Sequence, residues 1–224
     1  MPDKILYDIT PFTHVDYPGK LAAIAWFAGC NMRCPYCYNP EIVFAREGHY
    51  TAEDLYTFLS GRIGLLDGIV LSGGEATRHD LIPITRRIRE MGFAIKLDTN
   101  GHNPAMIRRL IDQHLIDYIA LDFKADADHY PALTGVHTMT PWLETLDLLI
   151  ASELPFEVRT TIHADLLTPE TINRMAALLA EHGYQGIYYL QLFREAEGTV
   201  GDVVLPSREF DREAVVSAVP IAWR

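Results

Sequence analysis

The chain has 224 residues, 49% of them hydrophobic, and a formal net charge of −11 from 19 Lys plus Arg against 30 Asp plus Glu. This size and composition fit one globular α/β domain over residues 1–224, with a core at about 15–194 and a tail at 195–224; disorder and repeat architectures are excluded. The acidic balance and the lack of any basic run speak against nucleic acid as a partner. The longest apolar run, residues 21–30, is about half of the roughly 20 residues a membrane helix needs, and Met1-Pro2-Asp3-Lys4 is polar, so no membrane partner and a cytoplasmic location are expected.

In chain order, short apolar runs alternate with amphipathic stretches about six times, the pattern of parallel βαβ units. Strands are expected at residues 21–28, 68–71, 94–98, 118–123, 156–162 and 186–193. Between them, Ile107, Leu110, Ile111 and His114 fall at i, i+3, i+4 and i+7, as do Ile172, Met175, Ala176 and Leu179, so each set predicts one buried helical stripe. Asn103-Pro104, Thr140-Pro141 and Thr168-Pro169 each place a capping side chain before a proline and so predict helix starts. The fold class is α/β, a partial (β/α)6 barrel with parallel strands.

All three cysteines of the chain lie within eight residues, as Cys30-Asn31-Met32-Arg33-Cys34-Pro35-Tyr36-Cys37. Thiolates are the ligands of iron-sulfur clusters, and a cubic cluster usually takes four. Three would leave one iron open for reaction, as catalytic zinc sites keep an open position. Two other readings of the same loop are a structural zinc, which usually needs four ligands, and three unconnected core thiols. Clustered thiols without a disulfide framework fit a reducing compartment. Further polar motifs follow the other strands: Ser72-Gly73-Gly74-Glu75, Asp98-Thr99-Asn100-Gly101, Asp122-Phe123-Lys124, Arg159 to His163 and Gln191 to Arg194. In a β/α barrel the carboxyl ends of the strands share one rim, and that rim holds the active site.

The cysteine spacing, with aromatic Tyr36 before the last thiol, followed by Gly73-Gly74-Glu75, resembles the radical S-adenosylmethionine (SAM) enzymes. Within them, Val15-Asp16-Tyr17-Pro18-Gly19, Asp98-Thr99-Asn100-Gly101, Asp122-Phe123-Lys124 and the Tyr130 to Gly135 stretch resemble the activating enzymes of glycyl radical proteins, most of all those of anaerobic ribonucleoside-triphosphate reductase. The resemblance implies a fold of radical SAM type in which Cys30, Cys34 and Cys37 hold a 4Fe-4S cluster that reductively cleaves SAM. The deoxyadenosyl fragment would take a hydrogen from a glycine of the partner enzyme.

It further implies that Tyr36, Ser72, Gly73, Gly74 and Glu75 line SAM, the glycines by close backbone approach and the glutamate by meeting the ammonium group. Asp98 would accept from that ammonium or, together with Thr99, Asp122 and a backbone carbonyl, help hold a monovalent cation near the SAM carboxylate, while Lys124 and Arg159 would offset that carboxylate and bind ribose or methionine atoms. An ordinary turn at Asp98–Gly101 and a plain salt bridge at Lys124 or Arg159 are the structural alternatives. Ala76 replaces a proline frequent in the family, and Tyr38 a histidine. With three cysteines only, electrons are expected from an external donor such as a flavodoxin or ferredoxin. The rival function within the superfamily is small-molecule chemistry like that of 7-carboxy-7-deazaguanine synthase; outside it, a zinc-binding interaction module.

Overall fold

The computed structural model describes residues 3–224, so the polar start at Met1-Pro2 lies outside the described residues. Two compact units form, each from separate stretches of chain: residues up to Asn31, Glu41–Thr99 and Asn103–Ala120 make the first, and Met32–Pro40, Asn100–His102 and Leu121–Arg224 the second.

The first unit is built on four strands: β1 (Leu6–Thr13), β2 (Ala22–Phe27), β3 (Gly68–Gly73) and β4 (Ala94–Thr99). β2, β3 and β4 are parallel and in register, with Ala25 beside Leu71 and Leu71 beside Leu97. Ala22, Ala23, Ala25, Ile69, Val70, Leu71, Ile95 and Leu97 are fully buried, which explains why these strands read as unbroken apolar runs. β1 pairs antiparallel with β2 and was not anticipated. Its sequence, LYDITPFT, alternates poorly and contains Pro11, which an edge strand tolerates because one side of its backbone needs no ladder partner.

Helices α1 (Pro40–Phe44), α2 (Ala52–Ser60), α3 (Leu81–Glu90) and α4 (Pro104–Asp112) connect these strands and lead to β5 (Tyr118–Asp122). Asn103 caps α4 as its sequence predicts, its side chain accepting from the Met106 N–H. The expected stripe ends early. Met106, Ile107 and Leu110 are buried, but His114 lies beyond the helix, exposed and with φ 51°, so the apolar face shifts back by one turn.

Val15-Asp16-Tyr17-Pro18-Gly19 closes the amino ends of the strands. Tyr17 is buried against Ala22, Ile24 and Val70, with Ala94 and Tyr118 packed on the same cluster, so this motif is a structural plug at the end opposite the polar motifs.

The second unit continues with α5 (Tyr130–Thr134), α6 (Thr140–Ala151), β6 (Phe156–Ile162), α7 (Pro169–Glu181), β7 (Tyr188–Leu192) and β8 (Ile221–Trp223). β6, β7 and β8 are parallel. α7 follows its sequence closely: Thr168 caps it, and Ile172, Met175, Ala176 and Leu179 are fully buried. α6 departs by one residue, because Met139 occupies the cap position without a side-chain bond and Thr140 is the first helical residue. The tail is not loose. It adds β8 to the sheet edge, and the Arg224 guanidinium grips the buried Glu157 carboxylate with two bonds of 3.0 and 2.9 Å. Among the described residues no helix is long and apolar enough to cross a membrane.

Candidate active site

The first unit carries Cys30, Ser72, Gly73, Gly74, Glu75, Asp98 and Thr99. β2 ends at Phe27, and the chain enters the cysteine loop through Gly29, whose N–H donates to Ile42 O at 2.8 Å, and Cys30, whose N–H donates to Val43 O at 3.2 Å. His79, which the sequence did not single out, fixes the same exit: its Nε2 lies 2.9 Å from Ala28 O, and its ring packs on Phe27.

The glycine pair has a reason that sequence could not supply. A Cβ on Gly73, which sits at φ 122°, would stand 2.3 Å from Phe27 N; one on Gly74 would stand 2.2 Å from Gly29 O. The space a side chain would need is filled by the backbone of the strand that launches the cysteine loop, so both glycines serve close packing of two chain segments. Gly74→Ala must push that backbone away, and urea unfolding should show a loss of about 2 kcal/mol.

Glu75 is 3% exposed, and its Oε1 accepts from Thr77 N at 3.1 Å, Thr77 Oγ1 at 2.6 Å and Thr99 Oγ1 at 2.7 Å. It caps the short 3-10 turn Ala76–Arg78 and ties the end of β3 to the end of β4. Asp98 is paired with Lys96, a lysine 1% exposed two residues before it on the same face of β4. Sequence reading missed Lys96 because it lies inside an apolar strand; its i, i+2 relation to Asp98 was the available signal.

The second unit carries Cys34, Tyr36, Cys37, Asp122, Lys124 and Arg159. Cys34 is buried and Cys37 half-buried, with the Cys37 N–H donating to Cys34 O at 3.0 Å in a tight turn. The Tyr130 to Gly135 stretch forms α5, and its Thr134 carbonyl receives the Arg33 N–H at 2.7 Å, so this segment anchors the cysteine loop.

Asp122 ends β5, held by Trp142, whose indole N–H donates to Asp122 O at 3.0 Å while its ring stacks on Phe123. Arg159 lies mid-strand on β6. Its Nε bonds Asp122 Oδ1 at 2.5 Å, and Lys124 Nζ bonds Asp122 Oδ2 at 3.0 Å. Burial alone would raise the Asp122 pKa, but the guanidinium and the ammonium hold the carboxyl down at about 2. Burial likewise opposes the charge on Lys124, yet Asp122, then Tyr36 and Cys34, hold its pKa above the ordinary lysine value.

The Asp122 and Asp98 carboxylates thus each meet side-chain cations of this chain, Lys124 with Arg159 in one case and Lys96 in the other.

Tyr36, in the same unit as Asp122 and Lys124, is 3% exposed, with its pKa driven well up by burial and then by Cys34. Its hydroxyl is buried and has no hydrogen-bond partner among the described residues. Such an atom costs about 1–3 kcal/mol unless something completes it, and here the charges of Cys34, Lys124, Asp122 and Cys37 all act on it. A polar ligand at this spot would satisfy it, and three thiols are a donor set suited to iron and sulfur. Among the described residues no three His, Cys, Asp or Glu side chains group as ligands of one metal ion. Ligands of a cubic cluster sit on separate irons and so stand farther apart than ligands of a single ion.

Residues 24–181 match the model of the radical SAM superfamily. Among curated proteins, a Methanocaldococcus jannaschii protein named as a glycyl-radical enzyme activating enzyme is 34% identical over 175 residues, covering 75% of this chain and 72% of the relative. The pyruvate formate-lyase-activating enzyme of Clostridium pasteurianum is 31% identical over 138 residues, covering 58% of this chain and 57% of that one. Among solved structures, Streptococcus suis SuiB bound to precursor peptide SuiA superposes with a TM-score of 0.69 at 14% identity, over 90% of this chain and 48% of that one. That likeness shows the fold, a partial β/α barrel.

Proposed function

The chain belongs to the radical SAM superfamily, and on that footing we propose that it is an activase that installs a glycyl radical on a partner enzyme, an anaerobic ribonucleoside-triphosphate reductase. Its relatives support the activase half of this reading; the resemblance of Tyr130 to Gly135 and its neighbours supports the choice of partner. Cys30, Cys34 and Cys37 hold the 4Fe-4S cluster. When bound, the cluster and SAM together supply the one-electron chemistry that lets a glycine hydrogen be removed; the electron comes from a flavodoxin or ferredoxin.

The observation that carries the site assignment is the orphaned Tyr36 hydroxyl beside Cys34, Cys37, Lys124 and Asp122. Lys124 and Arg159, both paired to Asp122, are the cations that would meet the SAM carboxylate. Gly73 and Gly74 hold the launch of the cysteine loop against β3, and Glu75 holds Thr99 in place at the end of β4. Ser72 and Asp98 would complete the SAM contacts, Asp98, paired with Lys96, by accepting from the SAM ammonium.

Lys124→Ala should leave iron content unchanged and weaken SAM binding about tenfold, the loss of one charge-assisted bond, read by equilibrium binding under anaerobic conditions. The function itself is tested by electron paramagnetic resonance (EPR) of the reductase mixed with this protein, SAM and a reductant. A glycine-centred doublet is expected. Its absence with SAM cleavage intact would favour small-molecule chemistry instead.

A further inference from the structure

The tail beyond β7 does something the barrel does not require. After Leu192 the chain turns back over the cysteine loop and touches it at three successive points. The Arg194 N–H donates to Tyr38 Oη at 2.8 Å, the Val200 N–H to Cys37 O at 3.1 Å, and the Gly201 N–H to Pro35 O at 2.9 Å. Two neighbouring N–H groups of the tail therefore satisfy the two carbonyls that flank Tyr36.

Gly201 is fitted to this contact, since a Cβ there would lie 2.6 Å from Pro35 Cβ and 2.9 Å from Pro35 Cα. Thr199 is 5% exposed in a stretch otherwise open to solvent, and its hydroxyl accepts from Val203 N at 2.7 Å, closing the turn that presents Val200 and Gly201. Both ends are tied down: Phe193 stacks on Tyr38, and His163 Nε2 meets Val204 O at 2.8 Å.

We propose that residues 194–204 are a clamp that fixes the Pro35–Tyr38 half of the cysteine loop, with Gly201 and Tyr38 as positioning residues for Cys37. Metal ligands need backbone held to within about 0.5 Å, and hydrogen bonds around a ligand commonly set its orientation and exposure. The Arg33 N–H bond to Thr134 O anchors the middle of the loop, and Cys37 is joined to Cys34 by one short turn. The clamp adds a restraint on the Pro35–Tyr38 half from a segment about 160 positions away and limits solvent access to the Cys37 sulfur. Its use in holding a cluster rests on the cluster reading given above.

Two readouts separate the ideas. In metal-free protein, site-resolved mass spectrometry should show Cys37 alkylated by iodoacetamide about tenfold faster in Gly201→Val, the effect of losing about 1.4 kcal/mol of local closure. Tyr38→Phe, which keeps the ring on Phe193 and removes only the acceptor for Arg194, should also be faster. Asn173→Ala, which frees the tail where it meets α7 at Ala214 and Val216, should match the native rate. In reconstituted protein, iron loss to a chelator should follow the same order. Native alkylation rates in both clamp variants would overturn the clamp, and Tyr38→Phe alone decides the matter if Gly201→Val fails to fold. Faster alkylation in the variants of a native protein that takes up no iron would leave the clamp standing and refute the cluster.

Discussion

Cys34→Ala should give a folded protein that holds essentially no iron after anaerobic reconstitution and forms no 5′-deoxyadenosine from SAM. The native protein should hold about four irons. Cys34 contributes to the loop in two separable ways. Its carbonyl accepts the Cys37 N–H, a bond alanine keeps, and on the proposed assignment its sulfur is a cluster ligand, which alanine removes. Three thiolates already leave one iron uncovered, and two cannot retain the cube. Circular dichroism and thermal unfolding near native values alongside loss of iron would assign the effect to the sulfur. Retention of iron with only two thiols would show that the ligands lie elsewhere.

Asp122→Asn should lower stability at neutral pH by about 2–3 kcal/mol in urea unfolding. The substitution keeps the shape and takes from Lys124 and Arg159 the carboxylate charge they share. Breaking a buried pair from one side typically costs about 3–5 kcal/mol; the lower figure applies because these side chains are about one-fifth exposed. The pH dependence follows from the carboxyl held at about 2, below its value in the unfolded chain. The carboxylate's stabilisation is complete above the unfolded pKa of about 3.9. It is lost as the pH falls from there through about 2, since below both values the proton is bound in either state. The gap between native and variant proteins should therefore narrow by about 2 kcal/mol across that window. A constant gap would mean the shape of the side chain matters and its charge does not.

The parts of this protein legible in its sequence are those set by local chemistry. β2 to β7 lie within a few residues of their apolar runs, and Asn103 and Thr168 cap helices because an oxygen before a proline does so largely regardless of surroundings. Thr140 shows the limit: the same signal is present, but the turn through Met139 starts the helix one residue early. β1 and β8 were hidden for different reasons, one broken by proline and poor alternation, the other three residues long and made a strand only by pairing with β7.

At the site, the sequence picked out the residues that converge locally, and the structure brings Glu75 to Thr99 and Asp122 to Lys124 and Arg159. It could not give their partners. Lys96 looked like part of an apolar strand, and the restraint on the cysteine loop comes from Thr134 and from residues 194–204, which no short motif connects to it. The glycine pair was recognised, but its physical reason, the backbone of Phe27 and Gly29 pressed against it, exists only in three dimensions.

The central claim is a three-thiolate cluster whose remaining iron takes SAM, and the most direct measurement is low-temperature EPR of the reduced, anaerobically reconstituted protein with and without SAM. A signal from a reduced 4Fe-4S cluster whose g-values move on adding SAM is the predicted result. A spectrum indifferent to SAM, or a colourless protein containing zinc, would contradict it.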